Sequence, residues 1–162
     1  MQAQIIHPQQ VWTPGANSPA TIITSDHATA TKRAAVRAVI QVARHLGRDF
    51  EMGWAVSQHS QIDFIRTLFD ESVTDWYRPT WHGFERMLEW GNGASLRFAV
   101  GSEAVRGRTW GFAVTSPSCS MSEDSIVELI NAVRMATFAG PRPHIIVAAD
   151  QHIRHAVQRA LS

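Results

Sequence analysis

Residues 110–149 read WGFAVTSPSCSMSEDSIVELINAVRMATFAGPRPHIIVAA, and this stretch decides the predicted fold. The two apolar runs at 110–115 and 144–149 have the length and composition of buried β-strands. Between them, Ser120 and Glu123 have the spacing of a helix capping box, and the apolar residues that follow recur at helical intervals. A strand, a helix and a second strand in this order predict a βαβ unit with parallel strands.

The same alternation of strands and helices extends in both directions along the chain. Residues 20–24 form a short β-branched run, and residues 28–46 repeat apolar side chains at helical spacing before Gly47. Shorter helices are predicted at 60–68 and at 151–161. The chain is therefore expected to adopt an α/β fold with a largely parallel sheet flanked by helices.

One β-hairpin interrupts this pattern, at about 84–100. Two strand-like runs flank the tripeptide Gly91-Asn92-Gly93, and a Gly/Asn turn between apolar runs is typical of a hairpin. The aromatic segment at 76–81 is predicted to be an irregular connection. Residues 101–109 are predicted to form a loop.

The chain is expected to hold one domain. Residues 1–19 are expected to be irregular, because Pro8, Pro14 and Pro19 interrupt any periodic pattern. Residues 20–162 are expected to form a single α/β domain, since 162 residues are enough to bury one core.

The composition excludes several classes of protein. Hydrophobic residues make up 44% of the chain and charged residues 18%, which is too apolar for a disordered protein. A formal net charge of +1 gives no whole-chain attraction to nucleic acid or membranes. Cys119 is the single cysteine and cannot form an internal disulfide. No apolar run reaches the roughly 18 residues of a membrane helix, and residues 1–7 lack the features of a signal peptide. We therefore expect a soluble intracellular protein.

Residues 88–98 (LEWGNGASLRF) and 101–110 (GSEAVRGRTW) carry a resemblance to a known family. They resemble the ATPase core of large terminase subunits, the DNA-packaging motors of tailed bacteriophages. In that family, a hairpin with an Asn-Gly turn leads to a loop bearing an Arg-Gly-Arg or similar triplet. An apolar strand follows, and it ends in the acidic pair of the Walker B motif. The unit at 20–47 is similar to the strand and helix that follow the family's nucleotide-binding helix. The resemblance implies a viral protein in the host-cell cytoplasm or in the virion.

The residues that would bind and cleave a nucleotide are missing from this chain. The strand at 112–114 is followed by Thr115-Ser116-Pro117-Ser118, which supplies no carboxylate for a magnesium ion. The one lysine, Lys32, is not preceded by a G-x-x-x-x-G-K-[ST] loop. From the 162 residues given, we also expect neither a phosphate-loop unit before residue 20 nor the family's nuclease domain. We therefore predict a degenerate, non-catalytic relative without ATP hydrolysis, cofactor or metal ion.

Arginines are the candidate contact residues, since they are 14 of the 15 basic side chains. Arg106 and Arg108 lie in a predicted loop, where bidentate hydrogen bonds would bind a DNA phosphate or a neighbouring subunit. Arg33, Arg37 and Arg44 share one face of the predicted helix and form a second candidate surface. Two alternatives stay open: the loop arginines pair with nearby acids for loop geometry, and the helix face is simply solvated.

Other side chains suggest alternatives with less support. His152 and His155 have the i, i+3 spacing of a metal-binding pair, but no third ligand accompanies them. Cys119 matches no protease signature, and a lone cysteine is usually a small packing residue. The six tryptophans are too scattered for a base-stacking surface, so packing is their expected role.

The predicted function is that of a binding or regulatory subunit linked to DNA packaging. Its expected partners are a viral or packaging protein, duplex DNA or a second copy of the chain, and no membrane. Two alternatives remain open. One is a nucleic-acid-binding module that uses the arginine faces. The other is an enzyme of unrelated chemistry, with a pocket at the carboxyl ends of the strands near 25–27 and 115–119.

Overall fold

The computed structural model describes residues 3–13, 18–46, 48, 50–72 and 78–162. Its strands are β1 (Gln4–Ile6), β2 (Ala20–Ser25), β3 (Glu51–Val56), β4 (Thr80–His82), β5 (Met87–Glu89), β6 (Ser95–Val100), β7 (Phe112–Thr115) and β8 (His144–Asp150). Its helices are α1 (Ala28–Leu46), α2 (Ser60–Glu71), α3 (Gly101–Val105), α4 (Glu123–Ala136) and α5 (Arg154–Leu161), with a 3-10 helix at Gln151–Ile153 before α5.

These strands form one sheet in the order β1-β2-β8-β7-β3-β6-β5-β4. Neighbouring strands are parallel from β1 to β6, and only the pairs β6–β5 and β5–β4 are antiparallel. The prediction of an α/β fold with a largely parallel sheet is therefore confirmed. Among the described residues, no helix combines the length and the apolar character needed to cross a membrane.

Helices cover both faces of the sheet. The core under α1 and α2 contains Trp54 and Val56, whereas the core under α4 and α5 contains Ala55 and Trp110. Successive side chains of a strand point to opposite faces, so residues 54, 55 and 56 contribute alternately to the two cores. The fold is a three-layer arrangement with the sheet in the middle.

Strand β3 is the main element that no sequence pattern predicted. It lies between β7 and β6, at the centre of the sheet, and its residues from Met52 onward are buried. A strand buried on both faces shows no alternation of apolar and polar residues. Gly53 further weakens the strand pattern, because glycine is disfavoured in strand interiors.

The hairpin and α1 agree with prediction, with shorter strands in the hairpin. Its first strand begins at Met87 instead of residue 84, and β4 pairs with it on the outer side. The Asn92 side chain donates to the carbonyl of Ala43 at 2.7 Å, which holds the turn against α1. The predicted helix stop at Gly47 and the first part of the aromatic connection, residues 76–77, lie outside the described residues.

Four local predictions were wrong. The connection predicted to be irregular at 76–81 runs into strand β4, since Thr80–His82 pair with β5. The segment predicted to be irregular at 1–19 contributes β1, because pairing with the buried strand β2 satisfies its backbone. The predicted loop at 101–109 begins with the short helix α3. Helix α4 is capped by Ser122, whose hydroxyl accepts from the Ser125 amide at 3.1 Å, whereas the hydroxyl of the predicted cap Ser120 contacts that of Ser118.

His144 is a buried polar residue at the start of β8. Its Nε2 lies 2.9 Å from the Thr21 hydroxyl, and its ring lies beside those of Trp12 and Phe112. Burial lowers the pKa of His144 to about 4, although a hydrogen bond with the Ser18 backbone opposes that shift. The folded protein therefore holds this imidazole in its neutral form at pH 7.

The close approach of Trp110 to Gly53 gives a test of the central strand. A Cβ atom on Gly53 would lie 2.1 Å from the Trp110 ring, so Gly53→Ala should lower the free energy of unfolding by about 2 kcal/mol or more. Gly91→Ala is the control, since no atom lies within 4 Å of the position that a Cβ would take there, and it should change stability by less than about 0.5 kcal/mol. Urea unfolding of both variants measures the difference. Equal stabilities would contradict the placement of β3 against Trp110.

The pKa of His144 predicts how stability depends on pH. The unfolded chain binds a proton at the ordinary histidine pKa of 6.5, whereas folded His144 binds it only near pH 4. Stability should therefore fall as the pH drops from about 6.5 to about 4, by about 3 kcal/mol for this group alone. His144→Gln should remove that part of the pH dependence, and the exposed His155→Gln should leave it unchanged. Urea unfolding between pH 7 and pH 4.5 decides, and parallel profiles for all three proteins would refute the assignment.

Candidate functional site

The carboxyl ends of the parallel strands are the first place to look for a site. In open α/β sheets, ligands bind where adjacent strands continue to opposite faces. Strands β7 and β3 are adjacent, and they continue to α4 and α2, which lie on opposite faces. A crevice is therefore expected beyond Thr115 and Val56. Part of it coincides with residues 115–119, where the alternative of an enzyme predicts a pocket.

The polar groups at the end of β7 are engaged with β3. The Thr115 hydroxyl donates to the carbonyl of Ala55 at 3.1 Å. The Ser116 hydroxyl accepts a hydrogen bond from the Trp54 indole at 3.0 Å, and both residues are fully buried. These hydroxyl groups therefore connect the end of β7 to β3.

The loops after β2, β3 and β7 at this edge contain neither glycine nor lysine, whereas β6 continues directly into α3 at Gly101. The three loops comprise residues 26–27 after β2, 57–59 after β3 and 116–122 after β7. The loop after β2 is closed by a turn in which the Ser25 hydroxyl accepts from the His27 amide at 3.0 Å. A two-residue loop is too short to surround a phosphate group with backbone amides.

Lys32 lies in α1, close to this edge. Its ammonium group is 5.6 Å from the centre of the Phe64 ring, a distance at which a cation and an aromatic face attract each other. Burial lowers the pKa of Lys32, and an electrostatic interaction with Cys119 opposes that shift. The lysine therefore packs against α2 and the loop before α4, instead of following a phosphate-binding loop.

The histidine pair lies at the surface, one member in the 3-10 helix and the other in α5. His152 and His155 are both exposed, and the Asp150 carboxylate accepts from the His152 amide at 2.9 Å as a helix cap. In the described part of the chain, no group of three or more His, Cys, Asp or Glu side chains is placed to hold a metal ion.

Arg106 and Arg108 follow α3, and both contact groups near that helix. Arg106 forms ion pairs with Glu103 at 2.7 Å and with Glu128 of α4 at 3.7 Å. The Arg108 side chain donates to the carbonyl of Ala104 at 3.4 Å. Gly107 between them has a φ of 82°, a conformation that favours glycine. These contacts match the alternative of loop geometry and acid pairing, while Arg106 stays largely exposed.

The arginines of α1 lie on one face of the helix, but their surroundings differ. Arg33 pairs with Glu71 of α2 at 3.2 Å. Arg37 donates to the carbonyl of Pro8 at 2.8 Å, and Arg44 is exposed near the end of the helix. The predicted stripe is therefore divided between α2 and the N-terminal segment.

A groove of about 440 Å³ lies between the N-terminal segment and α1. Arg37 and Arg44 both line it, together with Gln9, Gln10 and Trp12 from the N-terminal segment. The spacing of the two arginines predicts that they share a face of α1, but it does not predict the groove. One wall of the groove is formed by residues 9–12, which are distant in sequence from Arg37 and Arg44. No local pattern indicates that these residues meet α1.

The comparisons with known proteins agree with the fold. The structure is similar to that of the ATPase domain of the large terminase of Thermus phage P74-26, determined for an arginine-to-alanine mutant, with a TM-score of 0.50 and 11% sequence identity. The match covers 80% of this chain and 58% of that domain, so this chain spans little more than half of its length. No protein-family model matches the chain, and no curated protein shows a significant match to it in sequence. At this identity, the likeness shows a shared fold.

The hydrogen bond from Trp54 to Ser116 predicts a structural role for the Ser116 hydroxyl. Ser116→Ala would leave the buried indole N–H without an acceptor, so the free energy of unfolding should fall by about 1–3 kcal/mol. The control is Ser120→Ala, at an exposed position of the same loop, which should have an effect below about 0.5 kcal/mol. Urea unfolding measures both. An unchanged stability for Ser116→Ala would contradict a structural role of this hydrogen bond.

Proposed function

We propose that this chain is a non-catalytic, terminase-like domain of phage origin that acts as a binding or regulatory subunit in DNA packaging. The observation that carries the proposal is the chemistry at the end of β7. Thr115 and Ser116 are buried there, and their hydroxyl groups bond to β3. Phosphoryl transfer depends on a metal ion and on positioned charges, and these side chains supply neither.

The loops at the carboxyl edge support the same proposal. A phosphate-binding loop presents several backbone amides to the phosphates and places a lysine beside them. The loop after β2 has two residues, and Lys32 lies further along α1 against Phe64. Neither the backbone amides nor the lysine of a phosphate-binding loop is therefore positioned to bind a nucleotide at this edge.

The likeness to a terminase ATPase domain supports the packaging context. The similarity extends over 80% of this chain, so it covers most of this chain's fold and not a single motif. A domain that keeps a motor fold without its chemistry retains surfaces for binding other subunits or DNA. In this proposal the protein works in the host-cell cytoplasm or in the virion, with a packaging protein or duplex DNA as its partner.

The proposal predicts that the protein neither hydrolyses ATP nor is stabilised by it. Purified protein should release no phosphate from ATP with Mg²⁺, and Mg²⁺–ATP should leave the Tm unchanged. A ligand at about a hundred times its Kd would add about 2.7 kcal/mol of stability, which a thermal melt detects easily. Lys32→Met serves as the control for contamination. Magnesium-dependent hydrolysis that this variant lost would contradict the proposal.

Light scattering identifies the class of partner. The mass of the protein is measured alone and with duplex DNA, at low and at physiological salt. A DNA-dependent increase that fades with salt assigns the protein to a DNA-binding role, because phosphate contacts release counterions. A mass that is indifferent to DNA favours a protein subunit as the partner.

A further inference from the structure

The turn between β4 and β5, residues 83–86, bears the most exposed large apolar side chain of the described residues. Phe84 is 98% exposed, although a phenylalanine usually buries most of its surface. A single exposed apolar residue needs no functional explanation when the chain around it is loose. The turn that bears Phe84, however, is held in one conformation by the strand next to it.

Hydrogen bonds from β6 hold this turn. The Phe98 amide donates to the Arg86 carbonyl at 2.9 Å, and the Arg97 guanidinium donates to the Glu85 carbonyl at 3.0 Å. Arg86 has a φ of 52°, and no other described residue except glycine has a positive φ. Such a conformation costs energy and persists only where its surroundings maintain it. Because the turn is already fixed, Phe84 would lose little conformational freedom when it binds a partner.

The groove beside α1 has space for an aromatic ring. The apolar side chains that line it most deeply are those of Ile6, Trp12 and Ile23, which are all buried. Its volume of about 440 Å³ exceeds that of a phenyl group. Ile6 and Ile23 belong to the first two strands in the order of the sheet, whereas the turn joins the last two. At about 4.8 Å per strand, the groove and the turn of one chain lie more than about 20 Å apart. The turn can therefore reach only the groove of a second copy.

The charges beside Phe84 and at the wall of the groove are complementary. Glu85 is exposed, and no ion pair of the described residues involves its carboxylate. Arg37 lines the groove and donates to the Pro8 carbonyl at 2.8 Å. A carbonyl carries no net charge, and a guanidinium group has five N–H donors. Arg37 therefore keeps its charge and has donors for a carboxylate, with which arginine forms strong bidentate hydrogen bonds.

We propose that copies of this chain associate head to tail, with Phe84 of one copy in the groove of the next and Glu85 paired with Arg37. An aromatic side chain that fills an apolar pocket is a common centre of binding energy. The two copies use different surfaces, so each added copy leaves a turn and a groove for another. One ring and one ion pair form a small interface, and such interfaces are weak. This contact is independent of the proposed packaging role, because it uses neither DNA nor a nucleotide.

Analytical ultracentrifugation without DNA, from about 10 μM to about 1 mM protein, tests the contact at the concentrations where weak interfaces form. The mean mass of the unaltered protein should rise with concentration. Phe84→Ala, Glu85→Arg and Arg37→Glu should each weaken association by about tenfold or more. Combining Glu85→Arg with Arg37→Glu in one chain should restore it to within about threefold, because the two charges are exchanged. The matched control is Phe138→Ala, at another exposed phenylalanine, which should change association by less than about twofold.

A mixture of two variants tests the direction of the contact. Phe84→Ala leaves the groove intact and Arg37→Glu leaves the turn intact, so the mixture should form dimers and stop there, while neither variant associates alone. Circular dichroism and thermal melts check the folding of Arg37→Glu, since it loses the bond to Pro8.

NMR of the unaltered protein needs no variant. Raising the protein concentration should shift the amide signals of residues 84–86 and of residues 9–12 together. A monomer at every concentration, association that Phe84→Ala leaves unchanged, or shifts confined to other residues would overturn the proposal. So would a double variant that associates no better than its two single variants.

Discussion

The packing of Trp110 on the backbone of Gly53 is the contact on which the rest of the structure depends. Strand β3 joins the strands β2, β8 and β7 on one side to β6 and the hairpin on the other. At Gly53 the indole occupies the space of a side chain, with its ring 2.1 Å from where a Cβ would be. Trp110 itself is fully buried. Because side chains of the strand alternate, Trp54 then points into the opposite core, where Ser116 accepts its N–H. Strand β3 therefore contributes packing contacts to the cores on both faces of the sheet.

The elements that were predictable from sequence are those with a strong local period. Helices α1 and α4 bury one face, so their apolar residues recur at helical spacing, and β8 is a continuous apolar run. Strand β3 contains a glycine because Trp110 needs the space, and that need arises from a residue 57 positions later in the chain. Helix α3 has five residues, too few to show a period. Contacts distant in sequence decide these two elements, so no local pattern could have indicated them.

The candidate site was predictable to a similar extent. The spacing of Arg33, Arg37 and Arg44 placed them on one face of α1, and that placement is correct. Which of them faces an acid and which lines a groove depends on α2 and on the N-terminal segment, and this segment was predicted to be irregular. The ion pair between Arg106 and Glu128 likewise joins two helices. A sequence pattern gives the face on which a charge lies, whereas the neighbouring elements determine whether that charge is neutralised.

The carboxyl edge shows why a shared fold does not by itself assign a function. In a parallel sheet, the strand ends are the usual place for ligand chemistry, and function belongs to the side chains placed there. In this chain, Thr115 and Ser116 bind β3 at that edge, so their polar groups stabilise the sheet. The positive charge that lines a groove lies instead on α1, at Arg37 and Arg44. That groove lies between α1, the N-terminal segment and the sheet, since Ile6 of β1 and Ile23 of β2 also line it. A new ligand site at the end of β7 would disrupt the hydrogen bonds that hold β3, so at this edge the stability of the sheet and the chemistry of a site compete for the same side chains.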